Sequence, residues 1–153
     1  MRVSQLYCVR LNEDLTETVG EHKLITTPTY DFELKSSDRG TLWNEGPCVI
    51  KRGDEYIMNY SANCYATNDY AICIAVSDSP FGEWKKLSNN PVLSKRGGLF
   101  GAGHNAFFNG KDGNLYTSFH IQTDPEHPSG DRRTVIGKVT FEGEGENIKQ
   151  SIE

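Results

Sequence analysis

Apolar residues along this chain come in short runs divided by turn-forming residues, and almost nowhere at helical spacing. That pattern predicts an all-β chain. Strands are expected over Gln5–Leu11, Lys23–Thr26, Pro47–Lys51, Tyr56–Ser61, Tyr70–Ser77, Trp84–Leu87, Asn105–Asn109, Leu115–His120, Thr134–Phe141 and Asn147–Ile152. Arg52-Gly53-Asp54, Ser79-Pro80-Phe81-Gly82 and Lys111-Asp112-Gly113-Asn114 supply turns between them, because Gly, Pro, Asn and Asp accept tight-turn dihedrals. Ser36 to Asn44 is polar apart from Leu42 and Trp43, and reads as a connection between units.

The strands repeat. Gly46-Pro47-Cys48-Val49-Ile50, a turn and Tyr56-Ile57-Met58-Asn59-Tyr60-Ser61 match Gly103-His104-Asn105-Ala106-Phe107-Phe108, a turn and Leu115-Tyr116-Thr117-Ser118-Phe119-His120. Tyr70-Ala71-Ile72-Cys73-Ile74-Ala75-Val76 then corresponds to Thr134-Val135-Ile136-Gly137-Lys138-Val139. A four-strand unit recurring at about 60 residues points to propeller blades. Leu6–Leu11 and His22–Ile25 resemble a third and a fourth strand with no first or second before them, so the chain opens in mid-unit. The expected organisation is one partial propeller domain over 1–153: outer strands of an incomplete blade in 1–35, a complete blade in 45–87 and a last blade in 103–152.

At 153 residues the chain can bury one ordinary core. Its formal charge of -5, with no basic cluster beyond Lys85-Lys86 and Arg132-Arg133, argues against nucleic acid as a partner. No apolar run approaches membrane-spanning length, and Met1–Gln5 has no apolar signal core. Cys8, Cys48, Cys64 and Cys73 show no metal-ligand spacing; Cys8, Cys48 and Cys73 lie in strand patterns, where cysteine acts as a small hydrophobe. Reduced, buried thiols fit a cytoplasmic protein.

Trp43-Asn44-Glu45-Gly46-Pro47 places one carboxylate at a strand entrance beside a glycine that tolerates unusual dihedrals and a proline of fixed φ. By itself Glu45 is either an ordinary turn acid or a carboxylate aimed into a cleft. Context comes from Leu11-Asn12-Glu13-Asp14-Leu15, Glu45-Gly46-Pro47, Tyr60-Ser61-Ala62-Asn63, Ala75 through Trp84, Gly101-Ala102-Gly103-His104-Asn105 and Arg132-Arg133. In that order and at those spacings, they resemble the C-terminal portion of a family 43 glycoside hydrolase, an arabinofuranosidase and xylosidase group built as a five-bladed β-propeller. About two and a half blades of four-stranded antiparallel sheet would be present. The invertase and fructan hydrolase group is a near neighbour, but normally has Cys after its catalytic Glu where this chain has Gly46.

The resemblance implies inverting hydrolysis of arabinofuranosyl or xylosyl bonds, with a plant-type oligosaccharide or aryl glycoside as substrate and no required cofactor. Inversion needs an acid at the leaving oxygen and a second carboxylate, roughly 6.5–9.5 Å away, that activates water. Glu45 matches the family's general acid. The family's base and acid-tuning aspartates, in its first two blades, have no counterpart among Asp14, Asp31 and Asp38. His104 matches a histidine near the propeller axis that lines the sugar site or, in some members, helps bind an ion; a Ca or Na ion near His104 follows as an option. Arg132 matches an arginine that reaches the site, with Arg133 as an alternative holder of that register. Asn63 and Asn105 are candidate partners of sugar hydroxyls. Trp43, Tyr60 and Phe100 are candidate stacking platforms, with core packing as the competing role.

Two expectations follow for the chain alone. It should lack the base and show little hydrolysis, and its uncovered faces and edges should drive a homodimer or higher assembly. A non-catalytic carbohydrate-binding, propeller-derived module is the rival reading.

Overall fold

The computed structural model describes residues 1–35, 40–128 and 131–153. Among these residues it is an all-β fold of eleven strands: β1 Arg2–Ser4, β2 Leu6–Leu11, β3 Thr18–Thr26, β4 Thr41–Arg52, β5 Glu55–Ala62, β6 Ala71–Ser77, β7 Lys85–Lys86, β8 Gly103–Asn109, β9 Leu115–Gln122, β10 Arg132–Glu142 and β11 Lys149–Ile152. Two four-strand meanders, β4 to β7 and β8 to β11, form blade-like antiparallel sheets, and β2–β3 is a separate pair. β1 runs parallel along β4, pairing Arg2 with Thr41 and Ser4 with Trp43. The architecture is a partial β-propeller.

Sequence pattern places the strand centres well and their ends less well. β3 begins at Thr18 rather than Lys23, because backbone pairing to β2 continues through exposed polar residues that carry no apolar signal. The stretch Thr41–Asn44 is not a connection: it is the inner start of β4, held between β1 and β5. Of that expected connection, 36–39, which includes Asp38, lies outside the described residues.

The β5–β6 sheet is the centre of the packing. Alternation sends Met58, Tyr60, Ala62, Cys73 and Ala75 to one face, where Leu6, Ile25 and Phe32 cover them. Ile57, Ile72, Ile74 and Val76 go to the other face and meet the last blade through Phe119, Ile121 and Ile148. Complete burial of such a side chain stabilises by about 1.5–3 kcal/mol. Amides stitch the same interface. Asn59 donates to Gln150 Oε1 at 2.7 Å and accepts from Gln150 Nε2 at 2.9 Å and from Asn105 Nδ2 at 3.2 Å, all buried. All four cysteines are free thiols, with Cys64 and Cys73 buried.

A buried ion pair closes the first face, and nothing in the sequence pattern signals it. Glu33 is fully buried at the end of a 3-10 turn over Asp31–Glu33. It accepts from Lys86 Nζ at 2.6 and 2.9 Å, Tyr60 Oη at 2.9 Å, Asn44 Nδ2 at 3.1 Å and the Thr29 and Tyr30 amides at 2.9 and 3.0 Å. Burial works against its charge, but hydrogen bonds from Lys86, Thr29 and Tyr30 overcome this and hold the carboxyl below its ordinary range. Tyr60 is fully buried with its hydroxyl on Glu33, so it serves this core and is no stacking platform.

Candidate active site

Glu45 and His104 sit on equivalent bulges of the two blades. In the first blade Glu45 pairs with Ser61 and Cys48 with Asn59, which leaves Gly46-Pro47 opposite Tyr60 alone. In the last, Gly103 pairs with His120 and Ala106 with Ser118, which leaves His104-Asn105 opposite Phe119 alone. Gly46 at φ +58 and His104 at φ +53 both take the left-handed conformation that such a bulge requires. The true equivalent of Gly46 is therefore His104, and that of Glu45 is Gly103; matching Gly46 to Gly103 from sequence is one residue out. Counting along the third strands, Ile72 opposite Ser61 corresponds to Thr134 opposite His120, which makes Tyr70 the counterpart of Arg132.

Tyr70 is the hub where the two blades meet. Its hydroxyl donates to Glu45 Oε1 at 2.8 Å and lies 3.3 Å from His104 Nδ1. Its ring stacks on His120 at 5.4 Å between centroids and 14° between planes. A Cβ on Gly103 would come within 2.0 Å of that ring, so the last blade can offer only glycine there. His104 is pinned by its backbone N–H donating to Ser61 Oγ at 2.7 Å, and its ring packs on Gly46, where an added Cβ would be 3.1 Å away. Burial, with the Glu45 charge adding to it and Ser61 opposing, pushes the Tyr70 hydroxyl far above its ordinary range, so it remains a donor.

Arg132 joins the cluster through His120. Its guanidinium lies 3.4 Å from His120 Nε2 and 4.9 Å above the Tyr65 ring, on an exposed residue. Burial first, then the Arg132 and His104 charges, lower the His120 pKa to about 4. His120 is therefore a neutral ring at mild pH, suited to stacking.

Glu45, His104 and Arg132 are thus brought together around Tyr70. The remaining candidates are not. Asn105 is buried and spends both amide protons on Asn59 Oδ1 and Thr117 Oγ1, so it ties the blades and has no donor left for a sugar. Asn63 is buried in the left-handed conformation, with its amide donating to the Phe32 and Asp69 carbonyls at 2.9 Å, which closes the loop after β5. Trp43 is half-buried on β4 beside β1, with its indole Nε1 buried and without a partner among the described residues. Phe100 is half-buried, and its carbonyl accepts from the Gln122 amide at 2.9 Å. Arg133 pairs with Ile121 on the exposed strand. No group of three or more His, Cys, Asp or Glu among the described residues is placed to hold a metal ion, and His104 has no carboxylate set around it for Ca or Na.

Sequence reasoning missed Tyr70, Ser61 and His120 as site members. Their signal lies in the bulge register: once Glu45 and Gly103 are equated, Ser61, His120 and the residues opening the third strands fall beside them.

The chain belongs to the glycosyl hydrolases family 43, whose family model matches residues 1–146. A solved thermostable family-43 glycoside hydrolase superposes with a TM-score of 0.87 at 42% identity, over 97% of this chain and 47% of that one. An endo-1,4-beta-xylanase from Bacteroides thetaiotaomicron gives a TM-score of 0.84 at 29% identity, over 95% of this chain and 48% of that one. Among curated proteins, a beta-D-galactofuranosidase of Aspergillus niger is 24% identical over 149 residues, 97% of this chain and 40% of that protein. The chain thus spans under half the length of these relatives. Enzymes of this family require no cofactor in general.

Proposed function

We propose that this chain carries the acid half of an inverting glycoside hydrolase site, with Glu45 protonating the leaving oxygen of an arabinofuranosyl or xylosyl bond. The supporting observation is the Tyr70 cluster. It fixes Glu45 at a bulge, beside His104 and within reach of the Arg132 side, at the junction of two blades. A buried tyrosine that remains neutral is a suitable companion for a group that must give up a proton. His104 and Arg132 are the residues proposed to touch the sugar.

The base is proposed to come from outside these 153 residues. Two carboxylates tied to the elements around Glu45 are already engaged: Glu33 is buried and saturated by hydrogen bonds, and Asp69 bridges Lys35 and Lys95 at 3.0 Å each. Neither is free to activate a water. Hydrolysis by the chain alone is accordingly expected to be slight.

The faces left open by a partial propeller support association. Tyr7, Leu11, Val19 and Leu24 on β2–β3, and Phe108 and Ile136 on the last blade, are exposed apolar side chains. A homodimer that covers them is the proposed state. Light scattering and hydrolysis of aryl arabinofuranosides and xylosides by the pure chain test both points. A dimer with little turnover is expected. A clean monomer contradicts the assembly, and strong turnover contradicts the missing base.

A further inference from the structure

From the geometry at the bulge, we infer that Tyr70 is a positioning residue for the acid, and that a one-way hydrogen-bond chain runs from His104 Nδ1–H through the Tyr70 hydroxyl to Glu45 Oε1. The inference rests on the reading of Glu45 as the acid for its catalytic meaning, but not for its geometry.

The direction follows from counting protons. Tyr70 has one hydroxyl proton and three polar neighbours: Glu45 Oε1 at 2.8 Å, His104 Nδ1 at 3.3 Å and the Ser61 hydroxyl, which accepts from the His104 backbone and so has its own proton to give to the Tyr70 oxygen. The carboxylate form of Glu45 can only accept, and the shorter contact is to it, so the Tyr70 proton points to Glu45. The Tyr70 oxygen then faces His104 as an acceptor, and Nδ1 makes a hydrogen bond only if it carries the imidazole proton. His104 is therefore the Nδ1–H tautomer when neutral, which leaves Nε2 as an acceptor.

Nothing at this corner can rotate freely. Tyr70 is fully buried and its ring fills the space beside Gly103. The His104 backbone is tied to Ser61, which pairs with Glu45 itself.

The consequence for the acid is positional. With Oε1 occupied as an acceptor, the protonated form of Glu45 carries its proton on Oε2. On transfer, the Oε2–H bond breaks and the proton goes to the glycosidic oxygen as the glycosidic bond opens. The Tyr70 proton stays where it is and holds the resulting carboxylate. The tyrosine thus decides which oxygen does the chemistry without taking part in the transfer.

The tautomer of His104 reads the direction of this chain without any need for turnover. Long-range nitrogen–proton NMR of the labelled chain distinguishes the protonated from the bare nitrogen of a neutral imidazole. The expected wild-type result is a proton on Nδ1. Glu45→Ala removes the acceptor, frees the Tyr70 proton to turn to His104 and should move the imidazole proton to Nε2. Tyr70→Phe, which keeps the ring against Gly103, should release the preference for Nδ1. A wild-type His104 protonated on Nε2 overturns the inference, as does a tautomer unchanged in Glu45→Ala. If Tyr70→Phe does not fold, the wild-type and Glu45→Ala spectra still decide the matter. A correct tautomer pattern in a protein shown not to use Glu45 as an acid would leave the hydrogen-bond chain standing and remove only its catalytic reading.

Discussion

The two complete blades share a backbone plan and divide the candidate site residues between them. At equivalent places, the first carries Glu45, Gly46, Ser61 and Tyr70, and the last carries Gly103, His104, His120 and Arg132. Neither set makes a site alone. Tyr70 leans out of the first blade into a gap that exists only because Gly103 has no side chain, while His104 takes the bulge position that is Gly46 in the first blade. The lesson is that a repeated scaffold becomes a site where one copy gives up volume and the other fills it.

The blades also differ in how they are locked, and that difference predicts the largest effect. Only the first holds an ion pair in its core, among the described residues. Lys86→Met would leave Glu33 buried without its cation, and a loss of about 3–5 kcal/mol in urea unfolding is expected. A loss under 1 kcal/mol, against that estimate of about 3–5, would mean that the pair is solvated in solution. Gly103→Ala tests the exchange of volume between blades. With a contact of 2.0 Å to the Tyr70 ring, it should cost about 1–3 kcal/mol or more, by the same measurement.

Titration sharpens the comparison further, because His120 stands where the first blade has the non-titrating Ser61. An imidazole with a lowered folded pKa binds fewer protons folded than unfolded. Its stabilising contribution is thus present above the ordinary value of 6.5 and lost as pH falls towards about 4. Stability should decline with acidification across that window in the wild type, and the decline should flatten in His120→Gln. Glu33 has the opposite chemistry but the same direction, and its lowered carboxyl gives way only below its ordinary value of 4.5. The smallest effect is expected at Arg132→Gln. An exposed cation over Tyr65 contributes about 0.5–1 kcal/mol, so thermal unfolding should shift little.

Much of this arrangement was legible in the sequence. Short apolar runs and turn residues marked every blade strand, and the family resemblance brought out Glu45, His104 and Arg132. The remainder was hidden for physical reasons. A bulge inserts a residue without leaving a mark in hydropathy, so glycine matched glycine and the repeat slipped by one. Asn63 and Asn105 have the side chains that bind sugars, and the same donors bind a backbone carbonyl or another amide equally well. Glu33 and Lys86 are distant in sequence, and neither lies in a pattern that announces burial. Tyr70 read as an ordinary strand residue because its role depends on the absence of a side chain at Gly103.

The central claim is that this chain supplies the acid and relies on another segment for the base. It is tested most directly by fusing the chain to the part of the 42%-identical thermostable relative that it does not cover, and measuring hydrolysis of aryl glycosides with good and poor leaving groups. The account predicts turnover by the fusion well above that of the chain alone. It also predicts that Glu45→Gln removes most turnover on poor leaving groups and far less on activated ones, which need little protonation. Equal losses on both substrates, or full activity in the chain alone, would contradict it.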